Sequence, residues 1–209
     1  GENANCSGTL MVFMNKVAKA IKAWLQEEHP ERADIVKLVT FAYQRTQQPP
    51  VTWNAETGEY EFAPEVVPEE NVVVRLAPLA SVYSKDFLDE ETNGPIREAL
   101  LGWSAIGAQL SIWNYHIGFG AYLYPMYNFQ TIAENYKILR EYGVVDVLDQ
   151  GARDTAATPF EPLRNFLHAE LLWDADLDVN ELTDEFMEHY YKEAAPYMRE
   201  YFDLVNANY

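Results

Sequence analysis

The sequence predicts an α/β domain of the TIM-barrel type: a partial (half) barrel of about four parallel strands with flanking helices and a helical C-terminal region. Three observations carry this expectation. Four short apolar runs, rich in β-branched residues, punctuate the chain. Stretches with a helical apolar period separate most of them. The runs are apolar at nearly every position, as strands are when helices cover the sheet. Four βα units make half of an eight-unit barrel. A short doubly wound sheet is the structural alternative, and no glycine-rich phosphate loop follows any strand to support its nucleotide-binding version.

The elements follow in order. Residues 9–28 read as an amphipathic helix, with Phe13, Val17, Ile21 and Leu25 as its apolar stripe and Pro30 as its stop. Residues 35–43 form the first strand. Residues 46–70 carry Pro49, Pro50, Pro64 and Pro68 and predict a long loop, with a small hairpin around Glu56-Thr57-Gly58. Val72–Leu76 is the second strand. A helix starts near Asn93-Gly94-Pro95 and runs through Ile96, Leu100, Trp103 and Ile106. Gln109–Tyr115 is the third strand, and a Gly- and Tyr-rich loop follows from Gly118 to Tyr127. The next helix is capped by Asn128 and closed by Gly143, with Phe129, Ile132, Tyr136 and Leu139 on one face. Val144–Leu148 is the fourth strand. Helices over 159–172 and 179–206 complete the chain. The whole of 1–209 reads as one domain, βα units over 1–158 and terminal helices over 159–209.

Composition narrows the function. With 33 Asp plus Glu against 15 Lys plus Arg, the net charge is −18. Such a field repels phosphate backbones and anionic membrane surfaces, so nucleic acid is excluded as a partner. A neutral sugar is compatible with it; a polyanion needs a local basic pocket. No apolar run reaches the roughly twenty residues that span a bilayer. The single cysteine, Cys6, can form neither an internal disulfide nor a thiolate metal site. The chain opens at Gly1-Glu2-Asn3 without a Met and reads as a piece of a longer protein, so a missing leader carries no weight.

In both candidate folds ligands bind at the carboxyl ends of parallel strands. That rule selects Tyr43 and Gln44, Arg75 through Pro78, Trp113 through His116, and Asp149 with Gln150. Flat rings for stacking on sugar C–H faces, beside Asn, Gln, His and Asp for hydroxyls, suit a carbohydrate.

These residues resemble a family, domain of unknown function 4838, grouped with the TIM-barrel glycoside hydrolases. The stretches that carry the resemblance are Ser7-Gly8-Thr9-Leu10 through Ala18, Phe41-Ala42-Tyr43-Gln44 with Pro49-Pro50, and Asn71 through Pro78. Ile112-Trp113-Asn114-Tyr115 with Phe119 and Pro125, Gly143-Val144 with Asp149-Gln150-Gly151, and Leu171-Leu172-Trp173-Asp174 complete them. The pieces are individually unspecific; their order and spacing carry the likeness. The resemblance implies polysaccharide processing in the cell envelope or outside the cell, hence a periplasmic or extracellular location. Asn114 stands where the family commonly has Asp, and Ala80 where an acidic residue is common, which implies carboxylates lost from the site. The family's upstream portion, with the first barrel strands, is expected to lie outside this chain.

Glycoside hydrolysis usually needs two carboxyl groups flanking the scissile bond. Asp149, just past the fourth strand, is the candidate catalytic residue; its bland reading is a turn cap or an ion-pair partner. Asp146 points the same way only if that strand ends early. Tyr43, Arg75, Trp113, Asn114, Tyr115, His116 and Gln150 are the candidate substrate-binding residues. Trp113 is a sugar platform or plain core. His116 bonds a hydroxyl, acts as a base, or is structural. Arg75, inside an apolar strand, holds a uronate or pairs with an internal acid.

No metal or other cofactor is expected. The Asp174-to-Glu185 stretch has calcium-loop spacing but Val179 where that loop needs Gly, and Asp178 with Glu181 reads better as a helix cap. His168-Ala169-Glu170 lacks the cysteine partners of a zinc deaminase and reads as helix surface. Tyr190, Tyr191, Tyr197 and Tyr201 read as core or interface. Three functions stay open: a glycoside-hydrolase-like domain acting on polysaccharide, a non-catalytic carbohydrate-binding domain, or a structural half barrel that needs its partner half or a dimer mate.

Overall fold

The computed structural model describes residues 6–124, 126, 128–152 and 158–207. Pro125 and Tyr127 of the Gly- and Tyr-rich loop lie outside the described residues. The chain divides into two compact units. One comprises Gly1–Ala80, Gly94–Asn114 and Arg140–Leu148; the other comprises Ser81–Asn93, Tyr115–Leu139 and Asp149–Tyr209.

The first unit holds the sheet. Strands β1 (Leu38–Ala42), β4 (Val72–Leu76), β5 (Gln109–Tyr115) and β6 (Val144–Gln150) lie side by side in that order. β1 pairs with β4 in parallel from Leu38 opposite Val72 to Ala42 opposite Leu76. β4 pairs with β5 in parallel from Val73 opposite Gln109 to Leu76 opposite Ile112. The order follows the sequence without reversal. A doubly wound sheet reverses at a switch point; a barrel does not. The four strands do not close, so the sheet is the partial barrel that the sequence predicts. Helical crossovers allow parallel pairing, and α2 (Glu90–Ala105) and α3 (Ile132–Glu141) supply two of them.

The sheet presents two unlike faces because side chains alternate along a strand. Ala42, Val72, Val74, Leu76, Leu110 and Ile112 are buried on one. Phe41, Arg75 and Ser111 stand abreast on the other, where Val39 and Phe41 are exposed.

The helix α1 (Cys6–Glu28) packs on β1 and β4, but not through the predicted stripe. Phe13 is 59% exposed, and the buried line is Ser7, Met11, Asn15, Ala18 and Leu25. Asn15 explains the rotation. Its amide donates to the carbonyls of Glu65 (3.1 Å) and Val67 (2.8 Å), and its carbonyl accepts from the Glu69 N–H (3.0 Å). Buried backbone polar groups must be paired, and this side chain pairs three of them.

The predicted hairpin forms between β2 (Thr52–Asn54) and β3 (Glu59–Glu61), with Gly58 at φ 72°. The rest of the long loop crosses α2 at Gly102, where Pro49 and Val51 touch the helix backbone. The helix itself bends at Asn93 (φ −112°), one residue before Gly94-Pro95.

In the second unit, helices α4 (Glu161–Trp173), α5 (Val179–Tyr191) and α6 (Ala195–Asn206) pack in sequence. Phe129, Phe160 and Phe202 form a ring cluster, with centroids 4.9 Å and 5.2 Å apart at its two closest pairs. Asp178 caps α5, accepting from the N–H groups of Asn180 (2.7 Å) and Glu181 (3.1 Å). Lys192, at φ 53°, and Pro196 break the single predicted region 179–206 into two helices. Asn128 makes no side-chain cap; its carbonyl accepts from the buried Arg164 guanidinium. Tyr190, Tyr197 and Tyr201 are exposed rather than core. No helix among the described residues is long and apolar enough to cross a membrane.

Candidate functional site

Two groups of polar and aromatic side chains stand out, one in each unit. The first lies on the open sheet face. Parallel register sets Phe41, Arg75 and Ser111 in one row. Arg75 donates to Ser111 Oγ (2.9 Å) and to Asp146 Oδ2 (2.7 Å), and Ser111 Oγ donates to the same carboxylate oxygen (2.6 Å). Of the two sequence readings of Arg75, the internal acid is therefore the partner present. The Phe41 and Trp113 rings meet at 5.7 Å with a 49° tilt. Phe41 is 45% exposed and the Asp146 side chain 54% exposed, so the row is open to solvent.

The second group is buried. β6 continues to Gln150, so alternation carries Asp149 to the opposite face from Asp146. The Asp149 side chain is only 6% exposed. Tyr136 of α3 donates its hydroxyl to Asp149 Oδ2 (2.5 Å) and also meets His168 Nδ1 of α4. His168 Nδ1 lies 3.7 Å from Asp149 Oδ2, and His116 Nδ1 lies 4.0 Å from Asp149 Oδ1. The two imidazole rings stack at 4.2 Å with a 25° tilt. One ligand atom from each of His116, Asp149 and His168 falls within 4.8 Å of the others. The sequence reading of His168 as helix surface is thus corrected: it is buried beside Arg164 and Leu167 on the inner face of α4.

Burial governs the protons here. It lowers the His168 pKa to about 3, reinforced by His116 and Arg164 and opposed by Asp149. His168 is therefore neutral at neutral pH, and its approach to Asp149 is not an ion pair. Burial, then the Asp149 charge and the hydrogen bond to it, raise the Tyr136 pKa far above the ordinary phenol range, so Tyr136 stays a donor. Burial lowers Arg164 to about 10, with Glu161 opposing; the guanidinium stays charged over the Phe129 ring at 4.2 Å.

The backbone shapes this pocket at Gly151. A Cβ there would stand 2.9 Å from His116 Nε2 and 3.3 Å from Glu161 Oε1, so any other residue would push the imidazole from its place. His116 is also tied down by its own N–H, which donates to the Gln150 carbonyl (3.3 Å).

The remaining candidates fall elsewhere. Tyr43 is half-buried and its backbone N–H donates to Thr46 Oγ1 (3.2 Å). Asn114 is buried. Tyr115 is half-buried with its ring edge-on to Phe119 at 5.7 Å. Arg75 and Trp113 come together with Phe41, Ser111 and Asp146; Asp149 and His116 come together with Tyr136 and His168. The sequence reading did not bring His116, Tyr136, Asp149 and His168 together, because these four residues share no local spacing. One signal was available: His168 sits beside the buried line Leu163, Leu167 and Leu171 of α4.

No curated protein and no solved structure matches the chain. One family does, over residues 1–203, which is nearly the whole sequence. The chain therefore belongs to the family described as Domain of unknown function (DUF4838).

Proposed function

We propose that this chain is the polysaccharide-engaging part of a glycoside-hydrolase-like barrel and holds a sugar chain on the open face of its sheet. The observation that carries the reading is the half-exposed ring pair of Phe41 and Trp113 beside the Arg75–Ser111–Asp146 network. Aromatic faces stack on sugar C–H surfaces, and charged or hydroxyl groups beside them fix the hydroxyls. Arg75 is already neutralised by Asp146, so a uronate would have to displace an acid that is in place. A net charge of −18 opposes acidic polymers as well. Both features favour a neutral sugar. By the likeness to glycoside hydrolases the protein would meet its polymer in the periplasm or outside the cell.

Binding rather than cleavage is the reading for this face. Asp146 is its exposed carboxylate, and hydrolysis asks for a second one across the bond. Asp149 remains the catalytic rival, a buried carboxylate that accepts from the Tyr136 hydroxyl.

The test is a thermal-shift panel of neutral and acidic oligosaccharides against the whole chain. A ligand at about 100 times its Kd stabilises the fold by about 2.7 kcal/mol. A shift with neutral sugars, lost in Trp113→Ala and weakened in Arg75→Gln, supports the reading. Reducing-end release that disappears in Asp149→Asn would replace binding with hydrolysis. No shift with any sugar would sink the reading.

A further inference from the structure

We propose that His116, Asp149 and His168 form a buried binding site for a first-row divalent transition cation, zinc foremost. The inference stands apart from the carbohydrate reading and concerns a different set of residues.

Donor chemistry comes first. Two imidazoles and one carboxylate are a zinc donor set; calcium and magnesium prefer sites built from oxygen. The donor atoms already converge. One ligand atom from each residue lies within 4.8 Å of the others, and the Nδ1 atoms of His168 and His116 stand 3.7 Å and 4.0 Å from the two oxygens of Asp149; His168 Nδ1 also meets the Tyr136 hydroxyl, a contact that an ion bound there would displace. Tetrahedral zinc with bonds of about 2.0–2.2 Å sets its donors roughly 3.4 Å apart. Small side-chain rotations therefore close the site without moving the backbone. Tyr136, donating to Asp149 Oδ2, is a positioning residue that aims the carboxylate, as partners of ligating groups commonly do.

The second observation is independent of spacing. His116 is 3% exposed, and among the described residues neither of its ring nitrogens has a hydrogen-bond partner; nor has His168 Nε2. Buried polar atoms are normally paired, and imidazole nitrogens left bare in a closed pocket call for an unrecorded partner. Glu161 is buried alongside, and its Oε2 has no hydrogen-bond partner among the described residues. Gly151 lets the His116 ring lie against bare backbone, where a Cβ would stand 2.9 Å from Nε2.

The experiment uses the whole chain, stripped with EDTA and dialysed. Zinc is titrated by calorimetry, and cobalt(II) by its visible absorption, which reports coordination number and nitrogen ligation. The expected result is one equivalent per chain, a low-coordinate cobalt spectrum bleached by zinc, and no competition from calcium or magnesium. His116→Gln, His168→Gln and Asp149→Asn each abolish the stoichiometric event. His29→Gln/His189→Gln, which alters the two exposed histidines, leaves it intact. Far-UV circular dichroism checks that each variant is folded. Should the pocket variants unfold, nitrogen-15 shifts of the histidine rings in the native chain decide: zinc must move His116 and His168 and leave His29 and His189 in place. No stoichiometric uptake, uptake lost with the exposed histidines, or ring shifts confined to them would overturn the site and leave a metal-free hydrogen-bonded cluster.

Discussion

Replacing Gly102 with alanine sets two opposing terms against each other, and the structure decides the sign. Gly102 lies inside α2, where helix propensity alone favours alanine by about 0.8–1 kcal/mol. The added Cβ would stand 2.5 Å from Pro49 Cγ and 3.0 Å from Val51 Cγ2. Carbon pairs rest at about 3.5–4.0 Å, so the first contact is deep in the repulsive wall. Pro49 cannot rotate aside, because its ring is closed. Nor can its segment lift freely. Buried Trp103 donates its indole N–H to the Gln47 carbonyl (2.8 Å), and the Gln48 amide donates to the Pro95 carbonyl (2.8 Å).

Overpacking costs about 1–3 kcal/mol, and a pinned loop puts this site in the upper half of that range. The net effect is a loss of about 1–2 kcal/mol, a fall in Tm of roughly 2–8 °C for a domain of this size. Urea unfolding followed by circular dichroism measures the first, a thermal melt the second. The added variant Pro49→Ala removes the clashing Cγ, so Gly102→Ala should cost at least about 1 kcal/mol less in that background. A Gly102→Ala chain as stable as the parent, or a cycle without coupling, would refute the reasoning.

Three further outcomes follow from the same structure. Asn15→Ala strands the Glu65 and Val67 carbonyls and the Glu69 N–H; the three groups are only part-buried, so each should cost about 1 kcal/mol, the low end of the range for an unsatisfied group, and the variant about 3 kcal/mol in a urea melt. Asp178→Ala removes the α5 cap and should cost about 1 kcal/mol; an unchanged melt would show that the cap contributes nothing. In the EDTA-treated chain, His168 stays neutral in the fold down to about pH 3 while the unfolded chain takes a proton below its ordinary value of 6.5. The unfolded state then binds more protons, so His168 costs stability as pH falls from 6.5 toward 3. Folded His168→Gln should lose less stability than the parent over that window; parallel curves would show that His168 does not titrate differently on folding.

Local chemistry was legible wherever neighbours in sequence settle the matter. Asp178 caps its helix because its oxygen reaches N–H groups two and three residues on. Gly143 closes α3 at φ 74° and Gly58 turns the hairpin at φ 72°, conformations in which glycine lacks the Cβ penalty. Apolar β-branched runs gave β1, β4, β5 and β6 within three residues at each end. The misreadings occur where a polar side chain serves a distant partner. Asn15 turned the buried face of α1 away from Phe13, and Asn128 left its expected cap for Arg164.

The sequence by itself therefore determined the class of fold, the places of its strands and some of its helix caps, because periodicity and capping act over a few residues. It also placed Arg75 and Trp113 on a strand, though not with Asp146 and Phe41 as neighbours. Only the tertiary structure decided which face of α1 is buried, that Asp149 turns inward, and that His116, Tyr136, Asp149 and His168 meet. Those four come from separate elements, and no spacing along the chain encodes their approach; crossover packing and the bare backbone at Gly151 bring the donors to one point.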